Sequence, residues 1–511
     1  MNYLIEKKVK NNIYIYEGIS YWDKKTKKSR QKLKYIGRKD PITRETILKK
    51  SKSTPKTADE FGSKYFFEEV IKQLSIDELI KNSFPQLYQE ILQVVLFQAS
   101  ESKPSYLMEY CNSNDEFSKH YSSQNLSILF KILGKMENEI QCFTKDWISL
   151  NKIQDSLFYD LTSISSYSKY ADIVEWGYNR DGESLPQINF GILYGNTSKY
   201  PLLYKIYPGS INDVTTLKNI HTQLMVYGFK KFTFCLDRGF YSASNLSQIY
   251  KEDFELIMPM PFSTKNSEIL INKDISSLKN MINLNGDTIY CDTFEIEIDD
   301  KKYFANIFIN EGRKLRELDR FSKELAYIEE NIANNSYNDE KLAYECVEKI
   351  PGIYKKYFLI ENKENVYRIE KNFESMGDYV NKMGKIILIT KSNNTKKKSI
   401  IKSYLLRDGV EKVFDVMKNE INENRLRVSS TESINGRLFI NFLVLICISH
   451  VTKIMSSKDL FKKLTINELL MELKKLKIVT MHEGTKYLCE MTKKQKMIFD
   501  KFNIPYPKIE T

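Results

Sequence analysis

Residues 231–236 read KFTFCL, and Asp237 with the turn pair Arg238-Gly239 follows at once. A short, nearly continuous apolar run is the pattern of a strand covered on both faces, as in a parallel sheet. Working outward, a helical segment opens at Asn212 or Asp213 and runs to about Tyr227. Three strand-like runs come before it, at 156–164 (SLFYDLTSI), 187–194 and 201–207. A Gly195-Asn196 turn joins the last two, and Pro208-Gly209-Ser210 ends the third. On the first run Phe158, Asp160 and Thr162 share a face. After Asp237 come a helix near 243–250 and a strand at 254–260. The predicted order is βββαβαβ, with one aspartate on the first strand and another at the end of the fourth.

Residues 404–418 read YLLRDGVEKVFDVMK. At roughly 100° per residue, Tyr404, Arg407, Glu411 and Lys418 fall within about 60° of one another on a single helix. Val410, Val413, Phe414, Met417 and Ile421 form an adjacent apolar stripe suited to a core. The polar stripe sets a carboxylate among a phenol, a guanidinium and an ammonium. A carboxylate holds hard divalent cations, and Arg and Lys hold phosphates. The other reading is a solvated helix face with an incidental mixture of charges. Gly409 inside the helix costs about 1 kcal/mol relative to alanine.

The spacing Tyr-x2-Arg-x3-Glu-x6-Lys resembles the signature of one branch of the insertion-sequence DDE transposases. YDLTS around Asp160, LDRGFYS around Asp237 and the N-terminal SYWDKKTKKSRQKLKYIG also resemble that family. The resemblance implies a ribonuclease H-like α/β core, whose first and fourth strands lie side by side and parallel. Asp160, Asp237 and Glu411 are then the catalytic carboxylates and the ligands of two Mg²⁺ ions, for which Mn²⁺ substitutes. Tyr404, Arg407, Lys418 and Arg238 are expected to contact DNA phosphates. Asp155, Asp172, Glu420 and Glu423 are competing carboxylates that lack the combination of strand placement and helix spacing. The implied activity is cleavage at transposable-element ends and strand transfer into target DNA. The implied partners are double-stranded DNA, both terminal inverted repeats and target, and a second copy of the chain. An inactive transposase-derived DNA-binding protein and a metal-dependent nuclease without strand transfer are the alternatives.

The charge distribution bears on the same question. The chain has 511 residues and a formal net charge of +12, from 78 Lys+Arg against 66 Asp+Glu. Residues 1–58 hold 17 Lys+Arg and 5 Asp+Glu, so the whole excess, 17 − 5 = +12, lies there. Such a segment binds polyanions by releasing counterions. Alternating runs at 13–22 and 31–36 flank the basic turn 23–28, which predicts a β-hairpin. Lys24, Lys25, Lys27, Lys28 and Arg30 are its candidate DNA contacts. The seven cysteines and four histidines are scattered, so neither a disulfide framework nor a histidine metal site is indicated. The start lacks a secretory apolar run, and the apolar run 438–451 reads as a buried helix, with no membrane partner expected. A cytoplasmic, nucleoid-associated location follows. The domain reading is a basic hairpin and linker at 1–58 and a helical domain at 59–150, in which Asp77 caps a helix. The first part of the core is 151–260, a strand-containing insertion is 261–383, the second part with the signature helix is 384–455, and a helical tail is 456–511.

Overall fold

The computed structural model describes residues 2–10, 12–23, 27–40, 45–48, 54–111, 121–151, 156–180, 182–211, 213–229, 232–252, 254–332, 336–363, 366–420 and 425–508. Its main feature is a mixed sheet whose strands we number in chain order. They are β1 (Ser156–Ser166), β2 (Gln187–Gly195), β3 (Pro201–Pro208), β4 (Thr233–Cys235), β5 (Glu255–Pro259), β6 (Asn280–Leu284), β7 (Asp287–Ile298), β8 (Lys301–Asn310), β9 (Lys385–Thr390) and β10 (Arg425–Leu426). Across the sheet the order is β6-β7-β8-β9-β5-β4-β1-β2-β3, and β10 pairs with the end of β1.

β1, β2 and β3 form an antiparallel meander, while β4 runs parallel to β1, and β5 parallel to β4. Helices Asp213–Val226 and Ala243–Tyr250 make the crossovers that parallel pairing requires. Every residue of β2 is buried, as are all of β1 except Asp160. The centre of the sheet is therefore covered on both faces, as the unbroken apolar runs require. The long helix Thr431–Ser457 lies against the core and is buried along most of its length. It is long and apolar enough to cross a membrane, but its most apolar stretch is 78% buried inside the protein.

Several organisational expectations change. Residues 59–150 read as a separate helical domain, yet helices Tyr88–Glu101 and Ser123–Lys135 pack on the long helix. A Cβ on Gly134 would stand 1.7 Å from the Glu432 carbonyl oxygen, so glycine permits this close helix crossing. Asp77 lies in the first turn of helix Ile76–Ser83, and the capping position is Ser75. Residues 261–383 read as one insertion, but the structure divides them. β6–β8 extend the central sheet through β9, which pairs with both β8 and β5. The remainder has its own apolar core around Phe321, Leu325, Tyr357 and Ile369. Helix Glu311–Asn331 and the three-stranded sheet Ser336–Tyr337, Phe358–Lys363 and Val366–Lys371 supply that core.

Residues 1–62, 474–492 and 506–511 form a second compact unit. It contains the expected hairpin, Asn12–Asp23 against Lys28–Lys39, widened by strands Asn2–Val9 and Thr46–Leu48. Residues 41–58 read as linker and 456–511 as a helical tail. Instead, Pro55–Glu60 pairs with Lys477–Met481, which pairs with Lys486–Leu488. The short runs PKTADE and KIVTM carry little strand signal alone, and each is stabilised by a partner more than 400 residues away.

Candidate active site

β1 and β4 pair in the register Ser156↔Thr233, Leu157↔Phe234, Phe158↔Cys235. Two residues further along both chains stand Asp160 and Asp237, level with each other on neighbouring parallel segments. Asp237 follows the end of β4, where the turn Arg238–Phe240 carries the chain away. Asp160 is the only partly exposed residue of its strand, and its Oδ1 accepts the Leu161 backbone N–H at 2.8 Å. Loss of hydration pushes its carboxyl up to about 7, and the negative Asp237 adds to the rise. The Leu161 amide and the charges of Arg180 and Arg407 oppose it.

The signature segment is kinked instead of forming one straight helix. Helix Lys397–Leu405 ends just after Tyr404, helix Asp408–Asp415 follows, and a π-turn spans Val416–Glu420. The junction is held by tight i→i−3 hydrogen bonds, among them Arg407 N–H to the Tyr404 carbonyl at 3.1 Å. Gly409 lies at this junction, where a Cβ would come within 2.8 Å of the Tyr194 ring. Its low helix propensity is thus offset by close packing on β2. The expected apolar stripe is buried at Val410, Val413, Phe414 and Met417, while Ile421 lies outside the described residues.

Arg407 joins the elements. One guanidinium nitrogen bonds Asp237 Oδ1, and the other reaches Glu411 Oε1 at 2.9 Å. The guanidinium carbon stands 5.3 Å from the centre of the Tyr404 ring. Burial raises the Tyr404 phenol, with Asp237 adding to the shift and Arg407, Arg238 and Arg313 opposing it. Tyr404, Arg407, Glu411, Asp237 and Asp160 therefore share one electrostatic neighbourhood. Lys418 is displaced along the segment into the π-turn, where its charge acts on Glu183.

Arg238 is exposed and lines a cleft with Tyr404, Arg313 and Lys382. Arg313, Lys382 and Arg180 were not singled out in the sequence. They come from segments with no motif, and only the tertiary fold sets Arg180 near Asp160 and Arg313 and Lys382 in the cleft beside Tyr404. In the second unit Lys27, Lys28 and Arg30 are exposed on the hairpin, and Lys24 and Lys25 lie outside the described residues. Of the competing carboxylates, Asp172 is exposed on the β1–β2 connection. Asp155, Glu423 and the side chain of Glu420 lie outside the described residues.

Two carboxylates, Asp237 and Glu411, flank the Arg407 guanidinium, and Asp160 lies near enough for its charge to act on Arg407. Among the described residues no three metal-ligating side chains stand close enough to hold one ion in this arrangement.

Comparison with known proteins gives the family. No curated protein matches the chain. Among solved structures, the cryo-EM structure of a piggyBac transposase synaptic complex with hairpin DNA aligns over 74% of this chain and 77% of that one. The identity is 9% and the TM-score 0.30, too slight a likeness to carry an argument. The family model described as the transposase DDE domain matches residues 155–447, more than half of the chain and the whole span from β1 to the long helix. The chain belongs to the transposase DDE domain family.

Proposed function

We propose that the chain is an active insertion-sequence transposase of the branch with the Tyr-Arg-Glu-Lys signature, built on a ribonuclease H-like core. It cuts phosphodiesters at the ends of its element and joins them to target DNA. The observation that supports this reading most directly is the level placement of Asp160 and Asp237, with Glu411 tied to Asp237 through Arg407. Asp160, Asp237 and Glu411 are the proposed ligands of two Mg²⁺ ions. When bound, such ions supply an activated nucleophile and stabilise the leaving oxygen in phosphoryl transfer.

The chain's own side chains do the positioning. Arg407 keeps two like charges together in the free protein, and its planar fork is equally suited to a bridging phosphate. Tyr404 orients that fork from below its ring. Lys418 and Arg238 neutralise phosphates on either side of the scissile position. Asp160, with its raised pKa, is a poor counter-ion for arginine and becomes a good ligand only beside a stronger positive charge. The basic hairpin grips the duplex, the functional form is a homodimer on DNA, and the protein works in the cytoplasm on the nucleoid.

The experiment uses labelled duplex from the DNA flanking the reading frame, scored in one gel for binding, nicking and joining. Glu411→Gln is expected to bind normally and to cut at least 1,000-fold more slowly at any Mg²⁺ concentration. Lys418→Ala is expected to bind the cut end more weakly and retain some cleavage. Normal nicking by Glu411→Gln overturns the catalytic assignment. Wild-type binding without nicking points to the inactive DNA-binding protein, and nicking without joining to a simple nuclease.

A further inference from the structure

Among its described residues, 167–180 and 182–186, the connection between β1 and β2 holds no helix and no long strand. A connection of this length without regular structure is unusual inside a compact domain and commonly serves a function. Here the backbone is fixed. Glu175 and Gln187 exchange both backbone hydrogen bonds, at 3.0 and 2.9 Å. The Tyr178 carbonyl accepts from Gln187 Nε2 at 2.7 Å and from Ser163 Oγ at 3.4 Å. Asn179 Nδ2 donates to Ser165 Oγ at 3.1 Å, and the Arg180 backbone N–H donates to Ser163 Oγ at 3.2 Å. Gly177 is pressed so closely on Gly209 that a Cβ would stand 2.0 Å from the Gly209 carbonyl oxygen.

Four large aromatic side chains on this connection are exposed, Tyr167, Tyr170, Trp176 and Tyr178, and the last two sit on its anchored part. Trp176 is 67% exposed and Tyr178 81% exposed. Their flat faces are open to a planar ligand, and the hydrogen-bonded backbone holds them in place for it. The surroundings identify its chemistry. Arg180, two residues beyond Tyr178, lies near enough for its charge to act on Asp160. Arg425 Nη1 donates to the Tyr167 hydroxyl at 3.1 Å, and another of its nitrogens pairs with Glu183 at 2.7 Å. Lys418, at the end of the signature segment, acts on the same Glu183. Asp172 and Glu175 also lie on the connection, and Glu175 accepts a hydrogen bond from the Ser210 hydroxyl. The connection that carries the aromatic pair thus also carries Arg180, whose charge acts on Asp160, and Glu183, on which Lys418 acts.

We propose that Trp176 and Tyr178 form a stacking platform for unpaired nucleotides of the DNA strand that leaves the carboxylate cluster. The inference rests on the transposase reading and extends it to a single-strand subsite. Stacking of bases on aromatic rings is tolerant of sequence, so a generic probe is sufficient.

The test uses the full-length protein, a 12-nucleotide oligothymidylate and a mixed-sequence duplex of the same length. The wild type is expected to bind the oligothymidylate with quenching of tryptophan fluorescence. Trp176→Ala/Tyr178→Ala is expected to lose about tenfold or more in that affinity, to keep its duplex affinity and to melt at an unchanged temperature. Trp176→Phe is expected to recover most of the loss. Equal oligothymidylate affinity for the wild type and the double variant overturns the proposal, as does absence of wild-type binding or equal loss of duplex affinity. A change of oligomeric state in the double variant, read by sedimentation, overturns it in favour of a protein interface. Nicking and joining on flanking DNA are scored separately, so failure of the platform is distinguished from failure of the transposase reading.

Discussion

Asp160 illustrates how much one residue's environment departs from its sequence context. In the unfolded chain its carboxyl titrates near 3.8, and in the fold near 7, chiefly because β1 is buried and secondarily because Asp237 stands beside it. The folded value is the higher one, so the folded state holds the proton more tightly than the unfolded state does. Stability from this group is therefore complete below about pH 4 and declines as pH rises toward 7. With chelator present, Asp160→Asn is expected to match the wild type in thermal midpoint near pH 4. At pH 8 its midpoint is expected to exceed that of the wild type, its stability being greater by on the order of 4 kcal/mol. Midpoints measured from pH 4 to 9 check this, and parallel curves for the two proteins contradict it. Under the proposed catalytic role, such a destabilising residue is the usual compromise between function and stability. Arg407 limits the cost by keeping Asp237 and Glu411 compensated.

Among the elements, the signature segment shows where a periodicity argument succeeds and where it stops. The apolar stripe is buried as the 3.6-residue repeat requires, because burial of that face on β1 and β2 dominates its energetics. The straightness of the helix is not encoded in the same way. Glu411 meets Arg407 at the ordinary i,i+4 spacing, while the π-turn after Asp415 takes Lys418 off that face toward Glu183. Gly409 is the permissive residue at the junction. Gly409→Ala is expected to push against the buried Tyr194 ring and to lower stability by about 1–3 kcal/mol, measured by urea denaturation. Nicking is expected to fall at least tenfold because Arg407 and Glu411 move with the junction. Trimming the obstacle, in Gly409→Ala/Tyr194→Leu, is expected to restore part of the stability. An alanine variant as stable as the wild type removes the packing explanation.

For the whole molecule, the charge asymmetry becomes an asymmetry of units. All of the net +12 lies in residues 1–58, and the unit that contains them also takes in 474–492. Because Pro55–Glu60 pairs with Lys477–Met481, a deletion that tests the basic segment has to stop short of that strand. Removing residues 1–53 takes away 16 Lys+Arg and 5 Asp+Glu, a net of 16 − 5 = +11. Duplex affinity is expected to fall and the slope of log affinity against log salt to flatten by several units. Titrations at three salt concentrations measure both. An unchanged slope assigns the main duplex grip to the larger unit, with the cleft of Arg238, Arg313 and Lys382 as the first surface to examine.

The strands around Asp160 and Asp237, the crossover helices and the long buried helix were all legible in the residues, most of them to within two residues of their ends. Each is stabilised by its own apolar pattern, so local sequence is enough to specify it. The family could be read from three short motifs for a related reason, since their spacing is dictated by one sheet edge and one helix face. What only the tertiary structure decided are features whose stabilising partner is distant in the chain. They include the pairing of 55–60 with 477–481, the division of 261–383 between the central sheet and a separate apolar core, and the kink at Gly409. The Arg407 bridge and the exposure of Trp176 and Tyr178 belong with them. A guanidinium placed between two carboxylates, or an aromatic ring left in water on a fixed backbone, is a relation between segments. No local pattern of hydropathy or charge records it.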